Sequence, residues 1–175
     1  MFMVGDILWL EEKENISNIP YWRKFCGCIR WPNGFLSWYD KGEYQSFQDP
    51  VTGEWMPAVI YPSGEQYWYD KGKRQSFQDP ITKEWMPALI WPDGQKEWYD
   101  KDELQSFQDP VTGKWMPAVI DSDGTKYWYD KDKEQSFQDP VTGKLMPAIV
   151  YPDGERRWYD RGWQIYNPDR ANSFN

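Results

Sequence analysis

The side chains that could carry chemistry in this chain are carboxylates, serines and two cysteines. There is no histidine in the 175 residues, so the side chain that most often serves as a general base is missing. Asp40 and Asp49 are carboxylates of the type that pair in acid–base catalysis. They recur along the chain, however, whereas an enzyme usually needs one site. Ser46 and its copies have no base partner. We therefore predict no catalytic residues and a protein that is not an enzyme.

Two short motifs raise the question of a metal. Cys26 and Cys28 would share one face of an extended strand, about 7 Å apart. Without a histidine they make a poor zinc site, and we interpret them as small residues that fill space in a strand. Residues 121–125, Asp-Ser-Asp-Gly-Thr, imitate the start of an EF-hand loop, but its twelfth position holds Asp132 instead of glutamate. A turn is the better interpretation, so we predict no metal and no cofactor.

The net charge of the chain limits the classes of partner that it is expected to bind. The formal net charge is −8, and an acidic chain has no electrostatic footprint for nucleic acid or for anionic lipid. Residues 1–10 contain Asp6 and run into two glutamates, so neither a signal peptide nor a membrane span is predicted. Nucleic acid and membrane are therefore not expected as partners. The two cysteines make no disulfide framework, which favours a reducing intracellular compartment or a virion over secretion.

The chain is built from a long sequence block that is repeated several times. The block at 45–60 returns almost unchanged from positions 75, 105 and 135, at an interval of 30 residues. A fixed period of this size is typical of repeat architectures in which each unit packs against its neighbours. The chain also has 13 Trp, 12 Tyr and 8 Phe beside a mean hydropathy of −0.92. This composition indicates a thin, extended sheet that is covered by aromatic rings, rather than a globular domain with a large core.

Each unit has the pattern of one β-hairpin. Residues 58–61 have strand composition, residues 62–64 are Pro-Ser-Gly, which favours a turn, and residues 66–69 form the returning strand. Units related by simple translation need an even number of strands, so we interpret 73–83 as an ordered connecting loop. Proline and glycine interrupt the chain too often for a helix. Two strands advance each unit by about 10 Å.

The predicted fold is all-β, an elongated antiparallel β-hairpin repeat solenoid with a period of 30 residues. We interpret residues 1–23 as a degenerate repeat that caps the N-terminal end, 24–160 as five tandem hairpin repeats, and 161–175 as a C-terminal cap and tail. The open strand edges of such an array invite protein partners or self-association.

Comparison of the copies separates the positions that the fold requires from the positions that can vary. The positions equivalent to 66, 67, 73 and 74 change from copy to copy, so we expect them to face water and to select the partner. Alanine recurs at 58 and at its equivalents, as expected where a neighbouring ring presses on the backbone. The aromatic residues that define the repeat, and to which we assign a structural role, are Trp38, Trp68, Trp98, Trp128, Trp158, Phe47, Phe77, Phe107 and Phe137.

The pattern Gly-x-x-x-Trp-Tyr-x-x-Gly-Lys from Gly64, after Pro-Ala-Val-Ile from Pro57, resembles the MORN (membrane occupation and recognition nexus) class of β-hairpin repeats. It is most similar to variant hairpin repeats that are common in large DNA viruses and in bacteria. The similarity covers about residues 24–163. The Tyr-x-Gly-x-Trp core of standard MORN units is absent, and this unit is longer. The resemblance implies a non-enzymatic scaffold that engages proteins and, in some members, lipids. Our hypothesis is a structural or protein-interaction module that is a viral or phage component.

The strongest rival function is recognition of a carbohydrate or of choline. Aromatic-rich hairpin repeats present Trp and Tyr rings for stacking or cation–π contact. One variable aromatic follows the first strand of most units, and Asp121 interrupts the series. Rings exposed in a row would form a binding face; the alternative, which we favour, is that each ring packs on the neighbouring hairpin. The candidate binding residues are Trp31, Tyr61, Trp91 and Tyr151.

Overall fold

The computed structural model describes residues 7–9 and 25–167, with side chains for 25–167. The regular structure in these two ranges is entirely β, without a helix. The strands form one long, open sheet of antiparallel hairpins, with several short two-stranded ladders beside it. The predictions of an all-β chain and of successive hairpins are therefore confirmed.

The strands are short and follow one another along the main sheet. That sheet runs in the order β1-β2-β3-β7-β8-β11-β12-β15-β16-β19-β20-β21, with β4 paired to β3. In chain order the strands of the described residues are β1 (Ile7–Trp9), β2 (Gly27–Arg30), β3 (Leu36–Asp40), β4 (Glu43–Tyr44), β5 (Phe47–Gln48), β6 (Trp55–Met56), β7 (Val59–Ile60), β8 (Gln66–Tyr67), β9 (Tyr69–Asp70), β10 (Lys73–Arg74), β11 (Leu89–Ile90), β12 (Lys96–Glu97), β13 (Tyr99–Asp100), β14 (Glu103–Leu104), β15 (Val119–Ile120), β16 (Lys126–Tyr127), β17 (Tyr129–Asp130), β18 (Lys133–Glu134), β19 (Ile149–Val150), β20 (Arg156–Asp160) and β21 (Trp163–Ile165).

The sheet departs from the antiparallel pattern at its N-terminal end. There β1 runs parallel to β2, with Ile7 opposite Cys28 and Trp9 opposite Arg30. A parallel pair needs a crossover connection instead of a tight turn. Apart from the backbone of β1, the predicted capping repeat at 1–23 lies outside the described residues, so that interpretation stays a prediction.

Tight turns connect the two main-sheet strands of each hairpin, as the sequence predicts. In the turn after β7, the amide of Gly64 donates to the carbonyl of Tyr61 over 2.9 Å, and the amide of Tyr61 donates to the carbonyl of Glu65 over 3.0 Å. Gly64 has a φ of 107°, which residues with a Cβ rarely adopt, so glycine is required here. Pro62 has its own φ fixed by its ring and starts the turn.

The segment 73–83 is not a loop throughout. Lys73–Arg74 pairs antiparallel with Tyr69–Asp70, and Gln78 makes a bridge with Trp85. These pairs lie in separate ladders, and the main sheet still takes two strands from each hairpin. The prediction that 73–83 is a connecting loop is therefore wrong. The prediction assumed that an additional strand would reverse the direction of the next hairpin, but a strand outside the main sheet does not do so.

The buried residues form a thin layer rather than a large core. In the middle of the sheet, Ala88, Leu89 and Tyr99 cluster at 0%, 2% and 6% exposure, and Tyr67 and Trp91 pack against them. Aromatic rings thus supply the cover that a second layer of secondary structure would supply elsewhere. The buried hydrophobic residues are Ile29, Phe35, Tyr39, Ala58, Val59, Trp68, Ala88, Leu89, Trp98, Tyr99, Ala118, Val119, Trp128, Ala148 and Ile149.

Two of the freely varying positions do not face water. Tyr67 is half-buried, and its ring centre lies 5.7 Å from that of Tyr61 and 6.3 Å from that of Trp91. Arg74 is also half-buried, with its guanidinium carbon 4.0 Å from the centre of the Tyr99 ring. The prediction that positions 67 and 74 face water is therefore wrong, because strand alternation turns these side chains toward neighbouring rings.

Candidate interaction surface

A glutamine–serine pair attaches each connecting segment to the next hairpin. The amide of Ser106 donates to the carbonyl of Tyr129 over 2.8 Å, and the amide of Tyr129 donates to Oγ of Ser106 over 3.1 Å. The side-chain oxygen of Gln105 accepts the amide of Lys131 over 3.2 Å. The segment after one hairpin is thereby fixed to the next hairpin. The same serine–tyrosine bonds join Ser46 to Tyr69, Ser76 to Tyr99 and Ser136 to Tyr159.

Replacing Ser106 with alanine is expected to lower the free energy of unfolding by about 1–3 kcal/mol, because a sheet amide loses its acceptor. Ser106 is 2% exposed, so water does not replace the lost oxygen. Ser122→Ala, at an exposed turn position, is the control and should change stability by less than about 0.5 kcal/mol. Urea unfolding measures both variants, and equal stabilities would contradict this role of Ser106.

The connecting segments also contact one another. The amides of Ile81 and Thr82 donate to Oδ1 of Asp79 over 2.8 and 2.7 Å, which closes a tight loop. The ring of Trp85, at the end of this loop, stacks on Phe107 of the next segment with 4.1 Å between ring centres. Loops of consecutive hairpins are therefore held side by side.

Acid is expected to destabilise these loops. Hydrogen bonds from the amides of Thr82 and Ile81 lower the pKa of Asp79 from its ordinary value of 3.8. A carboxyl whose pKa is lowered by folding contributes stability above its unfolded pKa, and this stability is lost as the pH falls through the folded-state pKa. Backbone amides lower the pKa in the same direction for Asp49, Asp109 and Asp139.

The midpoint of urea unfolding should therefore fall as the pH drops below 3.8, the ordinary pKa of these carboxyls. Asp79→Asn is the matched variant, because asparagine keeps an oxygen that accepts the two amides but does not titrate in this range. Its midpoint should depend less on pH than that of the wild-type chain. An identical pH dependence for both proteins would contradict the effect of the loop on Asp79.

The loop tips carry a line of exposed aliphatic side chains, which we name the aliphatic ridge. The residue that follows each Asp-Pro pair is highly exposed: Val51 to 91% and Ile81 to 76%. Consecutive tips lie close together, since a Cβ built at Gly53 would be 3.8 Å from Cγ of Pro80. With two sheet strands per hairpin, the spacing along the ridge is about 10 Å. The ridge consists of Val51, Ile81, Val111 and Val141.

The sequence predicts partner selection at the variable hairpin positions and does not predict the ridge. A signal for the ridge is nevertheless present in the sequence. In every copy of the long block, a single aliphatic residue stands among Asp, Pro, Thr and Gly or Lys, in a turn where a polar residue would serve. An apolar residue that is retained in a polar turn indicates either burial or contact with another molecule, and the exposure of Val51 excludes burial within the described chain.

The aromatic residues predicted to bind a ligand are partly covered by neighbouring rings. Tyr61 stacks on Phe35 of the preceding hairpin, with 4.8 Å between ring centres. Trp91 meets Tyr67 of its preceding hairpin edge-on at 6.3 Å. Tyr61 keeps 40% of its surface exposed, whereas Trp91 is half-buried. The structure thus joins these rings in one aromatic run along the sheet.

The two outer candidates have different surroundings. Nε1 of Trp31 donates to Oγ of Ser37 over 2.8 Å, and its ring lies 5.7 Å from Phe35 at the start of the aromatic run. Tyr151 lies apart from the run and faces the guanidinium of Arg157 at 5.1 Å. The four candidates therefore do not form one continuous set of rings.

The aromatics that define the repeat pack inside the array. Trp68, Trp98 and Trp128 are 4%, 5% and 7% exposed, and Trp38 and Trp158 near its two ends are half-buried. The phenylalanines are half-buried against indole rings. The distances between ring centres are 5.9 Å for Trp38 and Phe47, 4.0 Å for Trp55 and Phe77, 4.1 Å for Trp85 and Phe107, and 3.9 Å for Trp115 and Phe137.

Comparison of the sequence with known protein families and with curated proteins gives no match.

Residues 25–167 include the cysteines and carboxylates that were considered for metal or covalent chemistry. They hold no group of three or more His, Cys, Asp or Glu side chains placed for a metal ion. No disulfide joins Cys26 to Cys28. The thiol of Cys26 donates to Oδ1 of Asp40 over 3.0 Å, and burial raises the pKa of the Cys28 thiol, which disfavours the reactive thiolate. Within the described ranges, no helix has the length and apolarity needed to cross a membrane.

Proposed function

We propose that the chain is a MORN-like solenoid of 30-residue β-hairpin units that acts as a non-enzymatic scaffold for protein partners. The partner docks along the aliphatic ridge. The observation that supports this proposal most strongly is the exposure of four ridge side chains, between 74% and 91%, in loops that keep an aliphatic residue at this position. Exposed apolar side chains in a regular row are typical of a surface that another protein covers.

Variation among the copies supports a binding role for the ridge. One exposed hairpin position holds Glu43, Lys73, Glu103 and Lys133 in successive copies, so its charge is free to change. The ridge position is at least as open to solvent but changes only between valine and isoleucine. Packing within the chain does not explain this restriction, because a side chain so exposed buries little area. Duplication of the units alone would have preserved both positions equally.

The spacing of the ridge suits a partner that presents several apolar sites in a row. Burying one valine or isoleucine contributes roughly 1.5–3 kcal/mol, so a single contact would be weak. Once the first contact forms, the rigid array brings the next ridge residues to a high effective concentration. The neighbouring charges differ between loops, for example Glu54 and Lys114 at equivalent positions. Apolar contact therefore selects the partner, and the charges beside the ridge contribute less to this selection.

Capture of partners from an extract of the native source tests the proposal. Two variants are compared with the wild-type chain, and both must keep its circular dichroism spectrum. The ridge variant carries glutamine in place of Val51, Ile81, Val111 and Val141. The control variant carries glutamine in place of the exposed Lys73, Lys96, Lys126 and Lys133.

Mass spectrometry then quantifies the proteins that each chain retains. The wild-type chain and the control variant should retain the same proteins, and the ridge variant should retain at least about tenfold less of them, since it loses several linked contacts. Undiminished retention by the ridge variant would overturn docking on the ridge.

Recognition of a carbohydrate or of choline is the second candidate function. It is favoured by Tyr61, which keeps 40% of its surface exposed beside the rings of Tyr67 and Phe35 and can stack on a sugar or on a quaternary ammonium. This function predicts that Tyr61→Ala and Trp91→Ala weaken retention on the ligand resin without changing the circular dichroism. No retention of the wild-type chain on a broad glycan array or on choline resin would exclude it.

A further inference from the structure

The C-terminal end of the sheet has an open cleft of about 620 Å³, lined by residues 154–158 and 164–167. On one edge, β20 pairs with β19 through Arg156 and Arg157. Its other edge pairs with β21 only from Trp158 onward. Among the described residues, no strand covers the outer edge of Arg156 and Arg157, and this edge borders the cleft.

Inner hairpins show what lies at the equivalent edge elsewhere. The strand β16 is equivalent to the start of β20, and β19 lies beside it with Val150 opposite Lys126 and Ile149 opposite Tyr127. The carbonyl of Ala148 accepts the amide of Trp128 over 2.8 Å. In the same way β11 lies beside β8, and β15 beside β12. An antiparallel strand therefore fills this position in each inner hairpin.

The strands that fill the inner positions share one sequence pattern. It reads Met-Pro-Ala, then two aliphatic residues, then an aromatic residue or aspartate, as at 86–91, 116–121 and 146–151. Ala88 is fully buried and Leu89 is 2% exposed, so small size and apolarity are required at these places. Trp91, the last residue of its copy, contacts Tyr67 of the preceding hairpin. The pattern therefore shows which residue types can occupy a strand at this edge of a hairpin.

We propose that the edge of Arg156 and Arg157 is a β-augmentation site for an extended peptide of a partner protein, with the pattern Met-Pro-Ala-aliphatic-aliphatic-aromatic. This inference rests on the proposed function of the chain as an interaction scaffold. The peptide adds as an antiparallel strand. Its alanine carbonyl accepts the amide of Trp158, and its second aliphatic residue donates its amide to the carbonyl of Arg156. Ile165, which pairs with Trp158 at the end of the β20–β21 ladder, gives up this pairing.

Arg157 sets the preference for the last residue of the peptide. Its guanidinium lies 5.1 Å from the Tyr151 ring, and its Nε donates to Glu155 over 2.9 Å. Since Trp91 contacts the residue at the equivalent inner position, the aromatic residue of the peptide stacks on Arg157. An aromatic ring is therefore preferred over a lysine.

Charge and sequence favour a partner protein over two other sources of such a strand. A second copy that paired through the same edge would bring two further arginines opposite Arg156 and Arg157, and like charges directly opposite each other destabilise a sheet. Residues 168–175 of the chain itself, Pro-Asp-Arg-Ala-Asn-Ser-Phe-Asn, contain no two neighbouring aliphatic residues of the required size. A peptide of another protein therefore fits this edge better than either of these two.

Nuclear magnetic resonance titration of the full chain tests the site. The probe is the acetylated and amidated peptide Met-Pro-Ala-Ile-Val-Tyr-Pro, which has the sequence of residues 146–152. It should shift the amide signals of 154–158 and 164–167 in a saturable way. The matched control peptide carries an N-methyl group on its valine, which removes the donor to the Arg156 carbonyl, and it should bind about tenfold more weakly. No saturable shift, or equal binding of both peptides, would overturn the proposal.

A charge reversal tests the role of Arg157. The variant Arg157→Glu has a precedent in Glu97, which stands at the equivalent position of an inner hairpin. It should bind the tyrosine peptide about tenfold more weakly than the wild-type chain and should prefer a peptide with lysine in place of tyrosine. An unchanged preference would overturn contact between Arg157 and the last peptide residue. The ridge variant should bind the tyrosine peptide normally, so failure of ridge docking and failure of this site are distinguishable.

Discussion

Replacing Trp98 with alanine is expected to lower the free energy of unfolding by about 3–5 kcal/mol. Trp98 is 5% exposed and links three parts of the array. Its amide donates to the carbonyl of Ala118 in the following hairpin over 2.7 Å, and its Nε1 donates to the carbonyl of Trp85 over 2.9 Å. Truncation leaves a ring-sized cavity and removes the donor to the carbonyl of Trp85.

Two control variants separate these contributions. Trp98→Phe keeps most of the ring but loses the indole donor, and it should cost about 1–3 kcal/mol. Trp163→Ala removes an equally large ring that is 79% exposed, and should cost less than about 0.5 kcal/mol. Urea unfolding followed by tryptophan fluorescence and by circular dichroism measures all three. Equal stabilities of Trp98→Ala and Trp163→Ala would contradict the internal role of Trp98.

Leu89→Ala is expected to lower the free energy of unfolding by about 2–5 kcal/mol. Leu89 is 2% exposed and lies between two strands, with Tyr67 opposite on one side and Glu97 opposite on the other. It forms one cluster with Ala88 and Tyr99. Removing its isopropyl group leaves a cavity beneath aromatic rings that hydrogen bonds and stacking hold in place, so the cluster cannot collapse onto the alanine.

The chain itself provides the controls for Leu89. Valine stands at the equivalent positions 59 and 119, so Leu89→Val should cost only about 0.5–1.5 kcal/mol. Ile81→Ala removes a similar aliphatic group from the aliphatic ridge, where it is 76% exposed, and should leave the free energy of unfolding unchanged within about 0.5 kcal/mol. If Ile81→Ala destabilises the chain as much as Leu89→Ala does, the ridge is a packing feature and not a docking surface.

The hairpins were predictable because their signals are local. The turn at Gly64 needs a proline that presets the backbone and a glycine that adopts a positive φ, and both stand at fixed positions in the sequence. Val59 and Ile60 have the β-branched composition of a buried strand. Turn chemistry and strand composition together fix two main-sheet strands per hairpin, whatever the rest of the chain does.

Other features depend on contacts between residues that are far apart in the sequence, and no local sequence pattern predicts these contacts. The short pair of Lys73–Arg74 with Tyr69–Asp70 follows from a two-residue turn, but polar residues at its ends made it resemble a loop. Tyr67 varies among copies and yet is half-buried, because the rings of Tyr61 and of Trp91 in the next hairpin contact it. The parallel direction of Ile7–Trp9 has no local signal, since strand composition does not set strand direction.

The candidate surface was predictable only in part. The sequence singled out Trp31, Tyr61, Trp91 and Tyr151 by residue type, but the contact of Tyr61 with Phe35 depends on how consecutive hairpins are spaced. The aliphatic ridge is not predicted from the sequence alone, because a structural role explains the near-identical copies equally well. Exposure decides between architecture and binding, and exposure is a property of the folded chain.

Deletion of one 30-residue unit tests the central claim of a hairpin solenoid most directly. Removing residues 76–105 joins Gln75 to Ser106 and restores the native Gln-Ser pair. Ser106 then contacts Tyr129 as before, Phe107 takes the place of Phe77 against Trp55, and β15 takes the place of β11 beside β8. The shortened chain should fold cooperatively, because each unit packs against its neighbours alone. Its urea m-value should decrease with the surface that it no longer buries.

The matched control removes residues 76–90, which is half of the unit, and joins Gln75 to Trp91. This chain loses one main-sheet strand and cannot restore the direction of the hairpins that follow, so it should not unfold cooperatively. Circular dichroism and urea unfolding compare the two deletions. A folded chain after removal of 76–105, together with an unfolded chain after removal of 76–90, is the result that the solenoid predicts. Loss of the fold after removal of 76–105 would contradict it.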